Sequence, residues 1–171
     1  MERGVTLWDF AVSLYARPGV EAACLALQDD HGQCAPLLLW RLWALDRTLD
    51  AATLRSAVVL ARDWDKRVVA PLRSVRRGLA APIPPIADAP RLSLRESVKA
   101  SELAAERALL ESLETLTSTD QTGGKAAIDA LVELAEAWSP PAPIMLLTDL
   151  ADSAASVTGC RIADSGYGHE R

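Results

Sequence analysis

The sequence contains few of the residues that disulfide frameworks, metal sites and aromatic cores need. Its 171 residues include three Cys, two His, two Tyr and one Phe. The cysteines Cys24, Cys34 and Cys160 form no CxxC pair, so the pattern predicts no metal, cofactor or disulfide framework and favours a reducing compartment. Residues branched at Cβ are scarce and no stretch alternates with a period of two, which favours helices over sheets.

Long hydrophobic runs are missing too. The apolar run at residues 35–40 is far shorter than the ~20 residues of a membrane-spanning helix. The N-terminal sequence MERGVTLWDF lacks the basic and apolar regions of a secretory signal and enters an amphipathic helix directly. These features predict a cytoplasmic protein with no membrane partner.

Familiar catalytic motifs are also absent. The sequence contains no GxSxG, HExxH or GxGxxG motif. The string TGGK at residues 122–125 lacks both the first glycine and the final Ser or Thr of a phosphate-binding loop. These observations favour a non-enzymatic role.

The charge is unevenly distributed along the chain. The net charge is −5, but residues 1–95 carry 13 Lys and Arg against 10 Asp and Glu, whereas residues 96–171 carry 5 against 13. Oppositely charged halves of one small domain usually lie against each other or face different partners. The acidic total argues against a dedicated nucleic-acid binder, which needs a strongly basic face.

Leu and Ala recur at helical spacing along most of the chain. This pattern predicts an all-α fold: a single-domain bundle of six or seven helices with a proline-rich crossover near residues 81–91. We expect a helical domain over residues 5–155, made of a core at 5–80, a crossover at 81–92 and covering helices at 93–155, followed by a flexible tail at 156–171.

The predicted third helix, residues 35–47, is apolar on nearly every side. A helix of this kind belongs inside a bundle, so we expect it to be central. Thr6 is a suitable N-cap for the first helix, and Asp50 for the fourth.

Prolines and capping residues predict the later boundaries. Pro71 interrupts the fourth helix, so we expect one kinked helix or two short ones. Ser93 and Glu96 form a capping box that predicts a long helix over residues 94–116. Two further helices are expected at residues 125–138 and 143–155.

Three strings of the sequence carry a family resemblance. They are LWDFAVSLYARPGVEAACLALQDDHGQCAPLLLWRLW, WDKRVVAPLRSVRRGL and LRESVKASELAAER, in this order. Together they resemble a family of small proteobacterial proteins that is classed only as a domain of unknown function. The resemblance implies an all-helical cytoplasmic bacterial protein and brings no catalytic or ligand residues with it.

Basic residues line one face of the predicted fourth helix, and we call them the basic stripe. Guanidinium groups aligned along one helix face suit an acidic peptide, a phosphate group or an RNA backbone. The alternative is that the Glu-rich helix after the crossover neutralises the stripe within the chain, which contributes only about 0–1 kcal/mol for each exposed pair. The residues predicted to bind a partner are Arg62, Lys66, Arg67, Arg73, Arg76 and Arg77, with Trp8 as an exposed aromatic contact, and Arg55 continues the stripe.

The tryptophans offer a second hypothesis. Trp40, Trp43 and Trp64 could wall an apolar pocket near Gln28 and His31, although indoles more often fill the core of a helical bundle. Trp64→Ala is expected to destabilise the core in either case.

The turn after the predicted second helix brings together different ligand types. Asp29, Asp30, His31 and Cys34 could ligate a metal or form a Cys–His nucleophile. The alternative is a solvated turn with Cys34 packed against the third helix, because the sequence has no second strong ligand nearby.

These observations lead to two functional hypotheses. The first is a non-enzymatic interaction or adaptor protein that uses the basic stripe to hold an acidic protein partner, with RNA or phosphate backbone as a less favoured partner. The second is a small-molecule binder or enzyme with a Trp-lined pocket near His31.

Overall fold

The computed structural model describes residues 5–47, 49–117 and 124–164, and the side chains as far as Val157. These residues form an all-helical protein, as predicted. Seven helices result when α4, a π-helical turn and α5 are counted as one continuous helix. The elements are α1 Leu7–Tyr15, α2 Val20–Asp29, α3 Ala35–Trp43, α4 Ala51–Trp64, the π turn Asp65–Val69, α5 Ala70–Gly78, α6 Asp88–Leu116, α7 Ala127–Trp138 and α8 Ile144–Asp164.

Helix α3 is central, as its composition predicts. All of its residues are buried, and it contacts α1, α2, α4, α6 and α7. It ends at Trp43 and not at Arg47, which corrects the predicted boundary. Arg47 donates a hydrogen bond of 3.1 Å to the carbonyl of Trp43, and its guanidinium lies 3.6 Å from the centre of that indole ring. The side chain of Arg47 therefore satisfies a carbonyl that a continuing helix would use.

Both predicted N-caps are confirmed. Thr6 Oγ1 accepts a hydrogen bond of 3.1 Å from the backbone N–H of Asp9, and Asp50 accepts one of 2.7 Å from that of Thr53. Each cap fixes the first turn of its helix.

The interruption at Pro71 takes the form of a π turn. The N–H of Ala70 bonds to the carbonyl of Asp65, five residues earlier, just before the proline that lacks an N–H. The helix then continues to Gly78 as α5. The wide turn places Asp65 on the same side as Arg73, at an N–O distance of 3.9 Å.

Helix α6 starts six residues before the predicted Leu94, so the expected capping box at Ser93 and Glu96 is wrong. Its first residue is Asp88, and Pro90 occupies the third helical position. A proline is tolerated there because the first N–H groups of a helix have no helical acceptor. Arg91 strengthens this start: it bonds to Asp88 at 2.7 Å and to the carbonyl of Ala80 at 3.0 Å.

Helices α7 and α8 complete the core. Helix α7 packs against α3, and α8 packs against α2 and α7. Helix α8 runs to Asp164, past the end predicted near Ala155, and the rest of the predicted tail, residues 165–171, lies outside the described residues.

Within the described part of the chain, no single helix combines the length and apolar composition of a membrane crossing. The pair α1 and α2 does so by length and composition, but the two helices meet at 103°.

Candidate functional site

An apolar groove of about 300 Å³ lies between α1 and α6, and we call it the α1/α6 groove. Helix α1 buries Leu7, Phe10 and Leu14 in the core. Trp8, Val12 and Tyr15, which are four and three positions apart, lie beside this buried face of α1 and therefore form one wall of the groove. The lining residues are Trp8, Ala11, Val12 and Tyr15 from α1, Pro36 and Leu39 from α3, and Leu103, Glu106 and Leu110 from α6.

Large apolar side chains remain exposed on both walls. Val12 on α1 is 51% exposed, and Leu103 on α6 is 55% exposed. Tyr15 is exposed as well. Exposed apolar residues are unremarkable singly, but a group of them around a concave surface is typical of binding sites.

Trp8, on the wall of the groove, makes a cation–π contact. The guanidinium of Arg107 lies 4.8 Å from the centre of the Trp8 ring. Arg107 is itself held by Glu111, one turn away on α6, at 2.8 Å. The guanidinium therefore makes a cation–π contact with the indole of Trp8.

Glu106 is the acidic residue that lines the groove, and its side chain is 26% exposed. It also lines a polar cavity of about 10 Å³ beside Gln28, Gln33 and Asp65, which has room for about one water molecule. Burial raises the pKa of Glu106, and the negative charge of Glu102 raises it further. The groove therefore has a carboxyl group at its inner edge whose ionised form is disfavoured.

Behind the groove lies a group of five charged side chains, Asp65, Arg73, Arg76, Glu102 and Glu106, which we call the polar cluster. Arg73 donates hydrogen bonds to Glu102 at 3.1 Å and to Gln28 at 2.9 Å. Arg76 also bonds to Glu102. Burial alone would raise the pKa of Glu102, but the two guanidinium groups outweigh it and lower that pKa.

Comparison with known protein families assigns the chain to one of them. Residues 6–113 match the family described as "Protein of unknown function (DUF2390)". The chain belongs to this family. The comparisons with curated proteins and with solved structures gave no match.

The DUF2390 region contains every residue that lines the α1/α6 groove and every member of the polar cluster. Helices α7 and α8 follow this region in the sequence, and hydrogen bonds connect the end of α7 to it. Trp138 of α7 donates a hydrogen bond of 2.8 Å to the carbonyl of Gly32, and Gln33 donates one of 2.7 Å to the carbonyl of Ser139.

Most of the predicted basic stripe is paired within the chain. Arg73 and Arg76 belong to the polar cluster, and Arg77 pairs with Asp29. Arg62 donates to the last carbonyls of α7, those of Ala137 at 2.9 Å and Trp138 at 2.6 Å. Neutralisation by the Glu-rich helix therefore describes Arg73 and Arg76, whereas Arg77 and Arg62 are bound by α2 and α7.

The three other residues of the stripe, Arg55, Lys66 and Arg67, are exposed. Arg67 is exposed and pairs with Asp63 at 2.7 Å, and Lys66 is exposed beside it. Partner binding by this end of the stripe stays a prediction.

The structure separates the residues of the predicted Trp-lined pocket. The indole N–H of Trp40 donates to Thr117 at 2.8 Å, and that of Trp64 donates to the carbonyl of Ala105 at 2.9 Å. Ala105 is on α6 and Thr117 directly follows the last residue of that helix, so these acceptors lie ~18 Å from each other along the helix axis. Trp43 donates at 3.0 Å to the carbonyl of Val5, near the start of α1, and His31 is exposed on its turn.

The turn at Asp29 and Asp30 has no features of a metal or nucleophile site. The side chain of Cys34 is buried, and burial raises the pKa of its thiol to about 12, so the thiolate needed for attack is not formed near neutral pH. In the described residues, no group of three or more His, Cys, Asp and Glu side chains could hold a metal ion. Cys160 lies outside the described side chains.

A second groove, of about 350 Å³, lies between α4 and α7. Its acidic residue, Glu133, is already paired with Lys125 at 2.6 Å, and its walls have no aromatic side chain. The α1/α6 groove offers more contact area from aromatic rings, which dominate binding energies at interfaces.

Sequence reasoning named Trp8 but missed Val12, Tyr15 and Leu103, and it considered Glu106 only as part of the Glu-rich helix that would neutralise the basic stripe. The spacing of residues 8, 12 and 15 is a usable signal, because it gives α1 a second apolar edge beside its buried stripe. Leu103 and Glu106 carry no such signal, since they belong to a helix that is rich in charge.

Proposed function

We propose that this protein is a non-enzymatic interaction protein that binds an amphipathic helix of a protein partner in the α1/α6 groove. The observation that carries the proposal is the pair of exposed apolar walls formed by Val12 and Tyr15 on one side and Leu103 on the other. An amphipathic helix that lays its apolar face into a groove between two helices is a common mode of recognition.

The shape of the surface favours a helix over a compact ligand. Leu92 is exposed and lies eleven residues before Leu103, which puts the two side chains about 20° apart around α6. From Leu92 to Leu110 this side of α6 extends ~27 Å. A helix of comparable length can contact Leu92 as well as the groove, whereas a compact ligand would contact the groove alone.

The pairing of the arginines also supports the groove over the basic stripe. Arg73, Arg76 and Arg77 are held by Glu102 and Asp29, so an acidic partner would have to replace existing ion pairs. The proposal keeps the predicted class of function and Trp8 as a contact, and moves the binding surface to α1 and α6.

We also propose a cytoplasmic location. Its support is that Cys24 and Cys34 are free thiols within the protein, which fits a reducing compartment.

The proposal is tested by selection from a displayed library of 18-residue helical peptides on the immobilised full chain. Binding of the selected peptides is then compared on Leu103→Asp and on Leu94→Asp. Leu94 is the matched control: it is 52% exposed on the same helix but lies about 180° away from Leu103 around α6.

We expect the selected peptides to bind Leu94→Asp as they bind the parent and to lose at least about tenfold in affinity on Leu103→Asp. The proposal fails if no peptide is enriched, or if both variants change binding to the same extent.

A further inference from the structure

The carboxylate of Glu106 has no hydrogen-bond donor of its own within the described part of the chain. The nearest guanidinium nitrogen, Nη2 of Arg73, lies 3.6 Å from Oε1 of Glu106, which is longer than a hydrogen bond. Arg73 directs its hydrogen bonds elsewhere, to Glu102 at 3.1 Å and to Gln28 at 2.9 Å. Glu106 therefore remains an acceptor at the wall of the groove.

The charges of the polar cluster do not balance. Three carboxylates, Asp65, Glu102 and Glu106, face two guanidinium groups, Arg73 and Arg76. Arg76 contacts Glu102, so Arg73 is shared among all three acids. The excess negative charge lies on Asp65 and Glu106, the two acids that Arg73 approaches without a hydrogen bond. Of these two, Glu106 lines the groove.

The two other cations near Glu106 on α6 do not correct this imbalance. Lys99, two turns before Glu106, is exposed and forms no ion pair with it in the described part of the chain, and Arg107 covers Trp8 and pairs with Glu111 at 2.8 Å. The pKa of Glu106 is raised by burial and by Glu102, which agrees with a carboxylate that lacks sufficient positive charge around it.

We propose that the partner helix presents a lysine or arginine to Glu106, so that the α1/α6 groove selects a basic amphipathic helix. This inference rests on the proposed function. Docking of the helix removes water from the groove, and a charge-assisted hydrogen bond gains strength in such surroundings. The Lys or Arg supplies both the missing donor and the missing positive charge.

The same geometry rejects the opposite partner. A glutamate or aspartate at this position of the partner helix would be desolvated next to a carboxylate that has no hydrogen-bond donor, which is strongly unfavourable. The groove therefore favours a basic segment, which is the reverse of the acidic partner expected for the basic stripe.

The test uses the peptides selected on the parent chain and a second form of each in which the central Lys or Arg is replaced by Gln. Affinities of both forms are measured by fluorescence anisotropy for the parent, for Glu106→Gln and for Glu133→Gln. Glu133 is the matched control, because it is an exposed, ion-paired acid on α7 that does not line the α1/α6 groove. The thermal melt of each variant establishes that it is folded.

We expect the selected sequences to be enriched in Lys or Arg. On the parent and on Glu133→Gln, the basic form should bind about tenfold more tightly than the Gln form. On Glu106→Gln, the two forms should bind equally.

Three outcomes overturn the inference. If the selected peptides are not enriched in Lys or Arg, or if the basic form keeps its advantage on Glu106→Gln, Glu106 does not select a cation, while the proposed function stands as long as Leu103→Asp abolishes binding. If no peptide is sensitive to Leu103→Asp, the proposed function and the inference fail together.

Discussion

Arg73 lies 3.6 Å from Glu106 without forming a hydrogen bond to it, because its guanidinium is oriented by Glu102, one turn earlier on α6. Two acids four residues apart therefore occupy different electrostatic surroundings. The pKa of Glu102 is lowered, and the pKa of Glu106 is raised. This difference has direct consequences for stability.

Replacing Glu102 or Glu106 by glutamine should have opposite effects on the free energy of unfolding at pH 7. Glu102→Gln removes the charge that Arg73 and Arg76 bind, so we expect a loss of about 2 kcal/mol in the free energy of unfolding. Glu106→Gln removes a carboxylate whose ionised form is disfavoured, so its free energy of unfolding should equal or exceed that of the parent. Urea denaturation of the three proteins measures both differences, and a large loss in Glu106→Gln would contradict the geometry.

The differences in stability between each of these two variants and the parent should also depend on pH in opposite ways. The folded pKa of Glu102 is below its ordinary value of about 4.3, so its contribution is complete above that pH and is lost as pH falls through the folded pKa. The folded pKa of Glu106 is above that value, so ionisation of Glu106 destabilises the protein as pH rises through its folded pKa.

Denaturation between pH 3.5 and 7.5, roughly the range in which carboxyl groups titrate, tests this directly. The deficit of Glu102→Gln should shrink toward the acid end. Any advantage of Glu106→Gln should grow toward neutral pH. Differences that stay flat across the range would show that neither pKa is shifted.

Trp64→Ala should lower stability by about 3–5 kcal/mol. The indole packs against the core from α4, and its N–H bonds to the carbonyl of Ala105 on α6, so its loss leaves both a cavity and an unpaired carbonyl. Val59→Ala, at an exposed position on the same helix, is the control and should change stability by less than about 0.5 kcal/mol. Equal melting of Trp64→Ala and the parent would show that this residue is not part of the core.

Leu147→Ala should lower stability by about 2–5 kcal/mol, although Leu147 lies on α8, outside the DUF2390 match. Its side chain is fully buried in the same hydrophobic core as α3. Met145 on the same helix is 83% exposed, and Met145→Ala should be neutral within about 0.5 kcal/mol. A neutral Leu147→Ala would mean that α8 is dispensable for the fold.

The fold was predictable because its signals are local. Helix α3 has no polar face, and Thr6 and Asp50 are strong caps, so burial and boundaries follow from the sequence. The start of α6 was missed because Pro90 was interpreted as part of the crossover, while a proline in the first helical turn removes no hydrogen bond.

The candidate site was less predictable because it depends on distances between helices. The spacing of the arginines is the same whether they face a partner or α6, and only the contacts of Glu102 distinguish the two. The groove depends on how far α1 and α6 are held apart at Pro36 and Leu39, which no local pattern encodes.

The central claim is that the α1/α6 groove is the binding surface. Two-dimensional ¹H–¹⁵N NMR of the full chain, with and without a selected peptide, locates that surface directly. We predict that the largest shift changes occur at the indole N–H of Trp8 and at the amides of Val12 and Leu103. Changes centred on Lys66 and Arg67, with the Trp8 signal unmoved, would contradict the claim and assign binding to the basic stripe.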